Sequence, residues 1–279
     1  MPSIERELLN SSIFKAYDIR GIVDRTLTRS AVEAIGSALG SLATESAVPS
    51  LAVGRDGRLS GPMLRDALVD GITGTGVDVI DIGMVPTPVL YFATHHLKTG
   101  SGVSITGSHN PPEYNGLKMM MAGATLYGDG IQALRQRLEQ GHIVSASRRG
   151  RSSSTDVIPA YLNAITTDVK LARPMKIAID CGNGVAGAVA PELYRRLGCD
   201  VTELFCDVDG TFPNHHPDPS HPENLQDLIR CLRESDAEIG LAFDGDGDRL
   251  GVVTKDGQII YPDRQMMLFA QNVLEQRPG

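Results

Sequence analysis

Short apolar runs alternate with segments of helical periodicity along most of this chain. Between Arg29 and Glu45, for example, apolar residues recur every three or four positions, which is typical of a helix packed on one face. The runs expected to form strands are 51–54, 77–82, 101–106, 176–180, 200–205 and 238–243, with a hairpin over 250–261. This alternation predicts an α/β fold made of two sequential three-layer domains with mixed sheets.

The chain is long enough for more than one hydrophobic core. It has 279 residues, of which 41% are hydrophobic. We assign residues 1–150 to a first domain, 151–256 to a second and 257–279 to the beginning of a third. The polar stretch 141–155 lacks periodicity and is interpreted as the connection between the first two domains. Its three arginines have no interleaved aromatic residues, so a solvated linker is favoured over a nucleic-acid site.

Composition excludes several classes of partner. The formal net charge of -8 argues against non-specific binding to nucleic acid, and no apolar run approaches membrane-spanning length. Residues 1–10 carry charges and no apolar core, so a secretory signal is not expected and a cytoplasmic location is predicted. The four cysteines form no Cys-x-x-Cys pair and are interpreted as reduced core residues.

The segment 104–118 carries the first cluster of reactive side chains. A strand ending at Thr106 is followed by Gly107, which frees the backbone, and by two prolines that stiffen the loop, so Ser108 is presented at a strand end. The local chemistry leaves open a simple turn in which Ser108 binds nearby backbone. Adjacent side chains of an extended segment point to opposite faces, so His109 is expected to be a poor base for Ser108. A Gly-x-Ser-x-Gly hydrolase elbow is absent, because position 110 is Asn.

A second cluster follows the expected strand at 238–243. Three aspartates alternate with two glycines, a pattern that lets carboxylate oxygens converge on one divalent cation. These aspartates are Asp244, Asp246 and Asp248. A calcium-binding helix-loop-helix is excluded, because Arg249 and Lys255 occupy the positions where its glycine and glutamate would stand. Without a cation the three carboxylates would repel one another.

Three weaker patterns remain, and two of them have both a structural and a functional interpretation. Residues 182–187 read Gly-x-Gly-x-x-Gly with Glu203 downstream, which indicates either a dinucleotide site or glycines that only allow close packing. A proline-rich loop with His215, His216 and His221 indicates either a metal site or a rigid polar loop. Residues 55–58, Arg-Asp-Gly-Arg, are interpreted as a charged turn.

Four motifs together resemble the α-D-phosphohexomutase family, and within it the bacterial phosphomannomutase/phosphoglucomutase branch. They are residues 106–118, 244–249, 15–21 and 210–217, and the similarity runs from about Ile13 to the end of the chain. The resemblance implies an isomerase that interconverts hexose 1-phosphates and hexose 6-phosphates, with mannose or glucose as the sugar. A phosphoserine and a hexose 1,6-bisphosphate would be the intermediates, with Mg²⁺ as cofactor.

The resemblance also implies roles for particular residues. Ser108 would be the phosphoserine, and its phosphate together with Asp244, Asp246 and Asp248 would hold the metal. Lys118 and His109 would assist proton transfer, with Arg20 a further catalytic residue. The substrate would be bound by Tyr17, Arg20, Asn110, Lys118 and Arg249.

Members of this family continue into a third and a fourth domain that complete the substrate site. The resemblance therefore implies that the present chain covers the first two domains and has weak or no mutase turnover alone. Two other functions stay open from the residues. One is a metal-dependent sugar phosphatase, and the other is a fragment that binds Mg²⁺ and sugar phosphate without catalysis.

Overall fold

The chain folds into two compact units, here called the first unit and the second unit. A computed structural model describes residues 10–278. The first unit comprises residues 1–164 and the second residues 165–279. The division therefore lies later than the expected boundary at residue 150, and the helix Ile158–Asp168 crosses it. The interpretation of residues 1–9 as lacking a secretory signal falls outside the described residues.

The first unit contains seven strands and five helices among its described residues. Its strands are β1 (Ile19–Ile22), β2 (Ser50–Arg55), β3 (Asp78–Met84), β4 (Gly102–Ile105), β5 (Tyr114–Met121), β6 (Ala124–Thr125) and β7 (Ser152–Ser154). Its helices are α1 (Arg29–Glu45), α2 (Gly61–Gly74), α3 (Thr87–His96), α4 (Asp129–Gln140) and α5 (Ile158–Asp168).

The sheet of the first unit is mixed, as the sequence predicts. Its order is β1-β5-β4-β2-β3-β7, with β6 added to β5. Strands β4, β2, β3 and β7 run parallel, whereas β5 is antiparallel to both β1 and β4. The parallel strands β2 and β4 are neighbours, so the loops that follow them leave the same edge of the sheet. This edge carries Asp56 and Arg58 after β2 and Ser108 after β4.

Helices cover both faces of this sheet. Side chains of β4 at Val103 and Ile105 join the core cluster that includes residues of α1, α2 and α4. Gly102, one position out of phase, faces α3, since a Cβ there would lie 2.9 Å from Thr94 Cγ2 and 3.3 Å from Leu90 Cδ1. The period of two along the strand thus separates two apolar layers.

The stretch predicted as a linker is partly a strand. Residues Ser152–Ser154 form β7, which pairs with β3 through bonds such as Val79 N–H to the Arg151 carbonyl at 2.8 Å. The serines of β7 are exposed and it has no apolar residues. The pairing is made by backbone groups and a few polar side chains, such as Asp78, whose Oδ1 accepts from the Arg151 N–H at 2.7 Å, which is why hydrophobic periodicity did not reveal it.

The second unit contains five strands and three helices among its described residues, apart from α5. Its strands are β8 (Lys176–Asp180), β9 (Asp200–Leu204), β10 (Ile239–Phe243), β11 (Leu250–Thr254) and β12 (Ile259–Ile260). Its helices are α6 (Ala190–Arg196), α7 (Gln226–Glu234) and α8 (Pro262–Gln276), with short 3₁₀ turns at Val185–Ala188 and Pro222–Leu225. That residues 257–279 begin a third domain remains a prediction.

The sheet of the second unit is also mixed and covered on both faces. Its order is β12-β11-β10-β8-β9, with β10, β8 and β9 parallel and the hairpin β11-β12 antiparallel, as expected. On β8, Ile177 and Ile179 join a core cluster with residues of α6, whereas Ala178 joins a cluster with residues of α7. Each unit therefore has the three-layer arrangement that the alternating pattern predicts.

Three helices begin without a side-chain cap. A 3₁₀ turn at Val185–Ala188 precedes α6, which begins at Ala190. Ser60 precedes α2 without capping it, and its Oγ accepts a hydrogen bond from Asn115 Nδ2 at 2.9 Å. Tyr261 precedes the first residue of α8, and Asp263 lies in the first turn.

None of the helices in residues 10–278 combines the length and the apolar composition needed to span a bilayer.

Candidate active site

Ser108 lies in the tight loop that joins β4 to β5. It is 2% exposed, and its φ of +49° places it in the left-handed region, which costs a residue with a side chain about 1–2 kcal/mol. Its N–H donates to Thr106 Oγ1 at 2.8 Å. Backbone strain of this kind at a loop serine is typical of functional sites.

The left-handed turn corrects the expectation for His109. Ser108 Oγ and His109 Nδ1 are 3.2 Å apart, within hydrogen-bonding distance. The expectation of opposite directions assumed extended backbone, and the positive φ of Ser108 removes that assumption. His109 is therefore placed to exchange a proton with the serine hydroxyl.

Arg20 connects β1 to the same loop. Its Nη1 donates to the Gly107 carbonyl at 2.5 Å and to Asn110 Oδ1 at 2.5 Å, and its Nη2 is paired with Asp18. The side chain is 10% exposed. The structure thus brings Arg20, Ser108, His109 and Asn110 together in one loop cluster.

Lys118 and Tyr17 belong to neighbouring elements. Lys118 is half-buried on β5, where its Cα pairs with that of Ser104 on the strand that leads into the serine loop. Tyr17 lies in the bend before β1 and is 78% exposed. Lys118 is thus on the strand beside the loop, and Tyr17 presents its ring to solvent.

The sequence analysis missed two residues that contact the serine loop from the loop after β2, because residues 55–58 were interpreted only as a charged turn. Asp56 and Arg58 form an ion pair, Oδ2 to Nε at 3.1 Å, and their side chains are 2% and 0% exposed. The signal that could have revealed them is positional. Asp56 directly follows β2, and β2 is the parallel neighbour of β4. The carboxyl ends of these two strands therefore lie at the same edge of the sheet, where Ser108 also lies.

The three aspartates of the second unit converge as predicted. They lie in the loop between the antiparallel strands β10 and β11, and each offers an oxygen within 4.8 Å of the others. Asp244 and Asp246 are fully buried, whereas Asp248 is exposed. Within residues 10–278 this is the one group of three acidic, histidine or cysteine side chains with metal-binding geometry.

Backbone hydrogen bonds shape the aspartate loop. Asp244 Oδ1 accepts from the N–H groups of Asp248 and Arg249, each at 3.1 Å, and Gly247 has a φ of +72°. Gly245 is held from two sides, by Pro217 O and by Val185 N–H, each at 3.2 Å. Oxygen ligands on a loop with an exposed side fit a hard cation such as Mg²⁺, which keeps water or phosphate in its remaining positions. The exposed Arg249 ends this loop.

The glycines at 182–187 are explained by packing. A Cβ at Gly187 would lie 1.9 Å from the Cys206 carbonyl oxygen, and one at Gly184 would lie 3.0 Å from Gly245 Cα. The turn that follows is a 3₁₀ segment and not the long helix of a dinucleotide fold. These observations favour the packing interpretation, in which the glycines bring this loop against the aspartate loop.

The histidine loop does not form a three-ligand metal group among the described residues. His215 instead contacts two acceptors, with Nε2 3.0 Å from both carboxylate oxygens of Asp180 and Nδ1 2.9 Å from the His216 carbonyl oxygen. Burial lowers the pKa of His215, but the bond and charge of Asp180 outweigh it, and the pKa is raised. His215 thus anchors the loop through Asp180 and the His216 carbonyl, and its raised pKa favours the protonated form of the ring.

Comparisons with known proteins match both units of the chain. The models of phosphoglucomutase/phosphomannomutase α/β/α domain I and domain II match residues 11–143 and 159–257. A phosphoglucomutase of Neisseria meningitidis is 61% identical over 267 residues, covering 96% of this chain and 58% of the relative. A phosphomannomutase/phosphoglucomutase of Pseudomonas aeruginosa is 54% identical over 279 residues, covering 100% of this chain and 60% of the relative.

Solved structures show the same relationship. A phosphoglucomutase/phosphomannomutase family protein from Burkholderia thailandensis matches with a TM-score of 0.92 and 53% identity, over 97% of this chain and 60% of the other. The chain thus spans about 60% of the length of the relatives it matches. With both family models matched in order, this chain belongs to the phosphoglucomutase/phosphomannomutase family, the α-D-phosphohexomutases.

Proposed function

We propose that this protein is a phosphohexomutase that interconverts hexose 1-phosphates and hexose 6-phosphates through a phosphoserine at Ser108. The observation that carries the proposal is the left-handed, nearly buried Ser108 with its Oγ 3.2 Å from His109 Nδ1. The names of the relatives, phosphoglucomutase and phosphomannomutase/phosphoglucomutase, support glucose and mannose as the sugars.

The reaction consists of two phosphoryl transfers. In the first, the P–Oγ bond of phosphoserine breaks as a bond forms between phosphorus and the free hydroxyl of the sugar phosphate. That hydroxyl loses its proton to a base, Ser108 Oγ takes up a proton as it leaves, and the product is a hexose 1,6-bisphosphate. In the second, after the bisphosphate has reversed its orientation, its other phosphoryl group passes to Ser108 Oγ, which gives up its proton, and the freed sugar oxygen takes a proton.

Residues within the serine loop and on other elements divide this work. We assign proton transfer at the reacting hydroxyls to Lys118 and His109. Arg20, fixed to the loop by Gly107 O and Asn110 Oδ1, contributes positive charge beside the transferring group. Tyr17, Asn110 and Arg249 complete the set that we assign to substrate binding.

Asp244, Asp246 and Asp248 would hold Mg²⁺, with an oxygen of the Ser108 phosphate as a further ligand. When bound, the cation neutralises charge on the transferring phosphoryl group. The carboxylates themselves fix the ligand set, since two of the three are fully buried and the first is held by two backbone N–H groups.

For the 279-residue polypeptide assayed alone we propose low mutase turnover. The polypeptide spans about 60% of the length of its relatives. Contacts with parts of the sugar phosphate remote from the reacting hydroxyl supply binding energy that positions the sugar, and we propose that this polypeptide makes only some of them. A cytoplasmic location is part of the same proposal and can be tested by cell fractionation.

The test follows both transfers. The polypeptide is incubated with Mg²⁺ and glucose 1,6-bisphosphate, and Ser108 phosphorylation is read by intact mass and peptide mapping. Mannose 1-phosphate with a trace of bisphosphate is then followed by phosphorus NMR, with Ser108→Ala as the control variant. A phosphate on Ser108 and slow formation of the 6-phosphate are the expected results.

Other outcomes identify other functions. Release of inorganic phosphate from the sugar, without relocation, would indicate a phosphatase. Binding of sugar phosphate with Ser108 never modified would indicate a binding protein. Equal rates for the wild type and Ser108→Ala would overturn the assignment of Ser108.

A further inference from the structure

We propose that Arg58 is the positioning residue of the phosphoryl-carrying serine, acting through the backbone of the serine loop (residues 106–116). The proposal rests on the function assigned to Ser108 and concerns the geometry that this function needs. Arg58 lies in the loop after β2, at the sheet edge where the serine loop leaves β4.

The guanidinium group of Arg58 uses all five of its N–H donors. Nε donates to Asp56 Oδ2 at 3.1 Å. The other four donors reach carbonyl oxygens of the serine loop at 2.6 to 3.0 Å, namely those of Ser108, Asn110, Pro111 and Tyr114. A planar fork with five fixed donors is a property of arginine alone among the side chains.

Asp56 supplies the counter-charge and a second set of bonds. Its Oδ2 accepts from Thr106 Oγ1 at 2.8 Å and from Gly107 N–H at 3.1 Å, in addition to Arg58 Nε. Its Oδ1 accepts from the Arg58 N–H at 2.9 Å. The pair is therefore neutral as a unit and carries hydrogen bonds to both ends of the turn.

Both backbone groups of Ser108 are connected to this pair. The carbonyl oxygen accepts from Arg58 Nη2 at 2.8 Å, and the N–H donates to Thr106 Oγ1, which itself donates to Asp56. Fixing both groups holds the residue at its positive φ and directs Oγ toward His109. Phosphoryl transfer depends on such in-line positioning, because misplacement by about 1 Å can cost on the order of 100-fold in rate.

The same geometry explains the glycine before Ser108. A Cβ at Gly107 would lie 2.2 Å from Arg58 Nε and 2.3 Å from its Cζ. The guanidinium is held by five bonds, so the loop backbone approaches it closely only where no side chain intervenes. Direct binding of phosphate by Arg58 is not part of this role, since its side chain is fully buried and its donors are engaged.

The test compares three variants of the 279-residue chain. Arg58→Lys keeps the positive charge but offers three N–H donors from a single nitrogen. Arg58→Ala removes both the charge and the donors. Arg65→Lys makes the same conservative change at an arginine of α2 that pairs with Asp81 at 3.4 Å and is 35% exposed. Circular dichroism and Mg²⁺ affinity of the second unit establish that each variant is folded.

Two measurements follow on the folded variants. Hydrogen exchange of peptides covering 106–117 measures the backbone protection of the serine loop, with peptides covering 239–254 as an internal reference. The rate of Ser108 phosphorylation by glucose 1,6-bisphosphate, followed by intact mass, measures phosphoryl transfer. Guanidinium chloride at tens of millimolar is then added to Arg58→Ala, with ammonium chloride as its control.

We expect both Arg58 variants to lose protection in 106–117 alone and to take up phosphate on the order of 100-fold more slowly than wild type. Arg65→Lys should match wild type, and guanidinium but not ammonium should restore part of the rate in Arg58→Ala. Unchanged exchange in 106–117 for Arg58→Lys and Arg58→Ala would overturn the proposal, even if wild-type Ser108 took no phosphate. A wild type that takes no phosphate would count against the proposed function alone. Phosphorylation of Arg58→Lys at the wild-type rate would also overturn the proposal.

Discussion

His215 is a side chain that holds the loop at residues 215–217 in the second unit. Its ring contacts Asp180, which is 1% exposed, on one side and a backbone carbonyl on the other. The next residues of its loop lead to Pro217, whose carbonyl holds Gly245 in the aspartate loop. A buried ion pair that loses one partner leaves an uncompensated charge, which costs about 3–5 kcal/mol.

We expect His215→Asn to destabilise the second unit by an amount that depends on pH. The pKa of His215 in the folded state lies above its ordinary value of 6.5, so the charged pair contributes fully below about pH 6.5. The contribution fades as pH rises through the higher folded pKa, because the folded state then loses the proton that stabilises it. The difference in unfolding free energy between wild type and variant should therefore be larger at pH 6 than at pH 9.

Urea unfolding at these two pH values, with pulse-labelled peptides from 176–254 as the probe, measures this difference. His216→Asn is the matched control, because the loop uses the His216 backbone carbonyl and the substitution leaves it in place. A cost of His215→Asn that is constant with pH, or that grows toward pH 9, would contradict the assignment of a charged His215.

At the residue scale, the sequence predicted the candidate reactive side chains of the two loops and missed the buried side chains that hold the serine loop. Ser108 and the aspartates were visible because loop glycines, prolines and repeated acids are unusual patterns. Arg58 was not, since a charged residue in a short turn is normally solvated, and only tertiary packing buries it. The position of His109 was missed for a similar reason, because a positive φ at serine cannot be read from residue types.

At the element scale, β7 is the feature that hydrophobic patterns could not reveal. It is attached by backbone bonds from Val79 N–H to Arg151 O and from Thr155 N–H to Asp81 O, and by the approach of Gly150 to β3. A Cβ on Gly150 would lie 1.9 Å from the Val77 carbonyl oxygen. Most apolar strands, by contrast, were predicted to within two residues, because their burial is recorded in their composition. The exception is β5 (Tyr114–Met121), which was not among the expected strands because its first residues lie in the segment interpreted as a reactive loop.

We expect Gly150→Ala to loosen β7 and to destabilise the first unit by about 1–3 kcal/mol, because backbone must move to admit the methyl group. Gly74→Ala, the same substitution at the end of α2, should stabilise the unit by about 0.4–1 kcal/mol, since no atom lies within 4 Å of its Cβ. Urea unfolding of the first unit, with hydrogen exchange of residues 78–84 as a second probe, measures both. Effects of the same sign at the two glycines would show that β7 is not held by this contact.

At the scale of the whole molecule, the proposed chemistry divides between the two units. Ser108 and its loop belong to the first, and the three aspartates belong to the second. Each loop lies where the strand pattern predicts a strand end, so the sequence located both. What residue types cannot encode is the phosphoryl group that we propose for Ser108.

The last prediction concerns this phosphate. If an oxygen of phosphorylated Ser108 joins the aspartates as a metal ligand, the phosphorylated chain should bind Mg²⁺ more tightly than the unmodified chain, by about tenfold or more for one additional anionic ligand. The two forms are prepared by treatment with glucose 1,6-bisphosphate or with a phosphatase, identified by intact mass and compared by calorimetry. Asp246→Asn should bind Mg²⁺ weakly in both forms, whereas Asp256→Asn, at an exposed carboxylate of the β11-β12 turn, should match wild type. Equal Mg²⁺ affinities of the phosphorylated and unmodified chains would remove Ser108 from the ligand set and leave the aspartates to hold the metal alone.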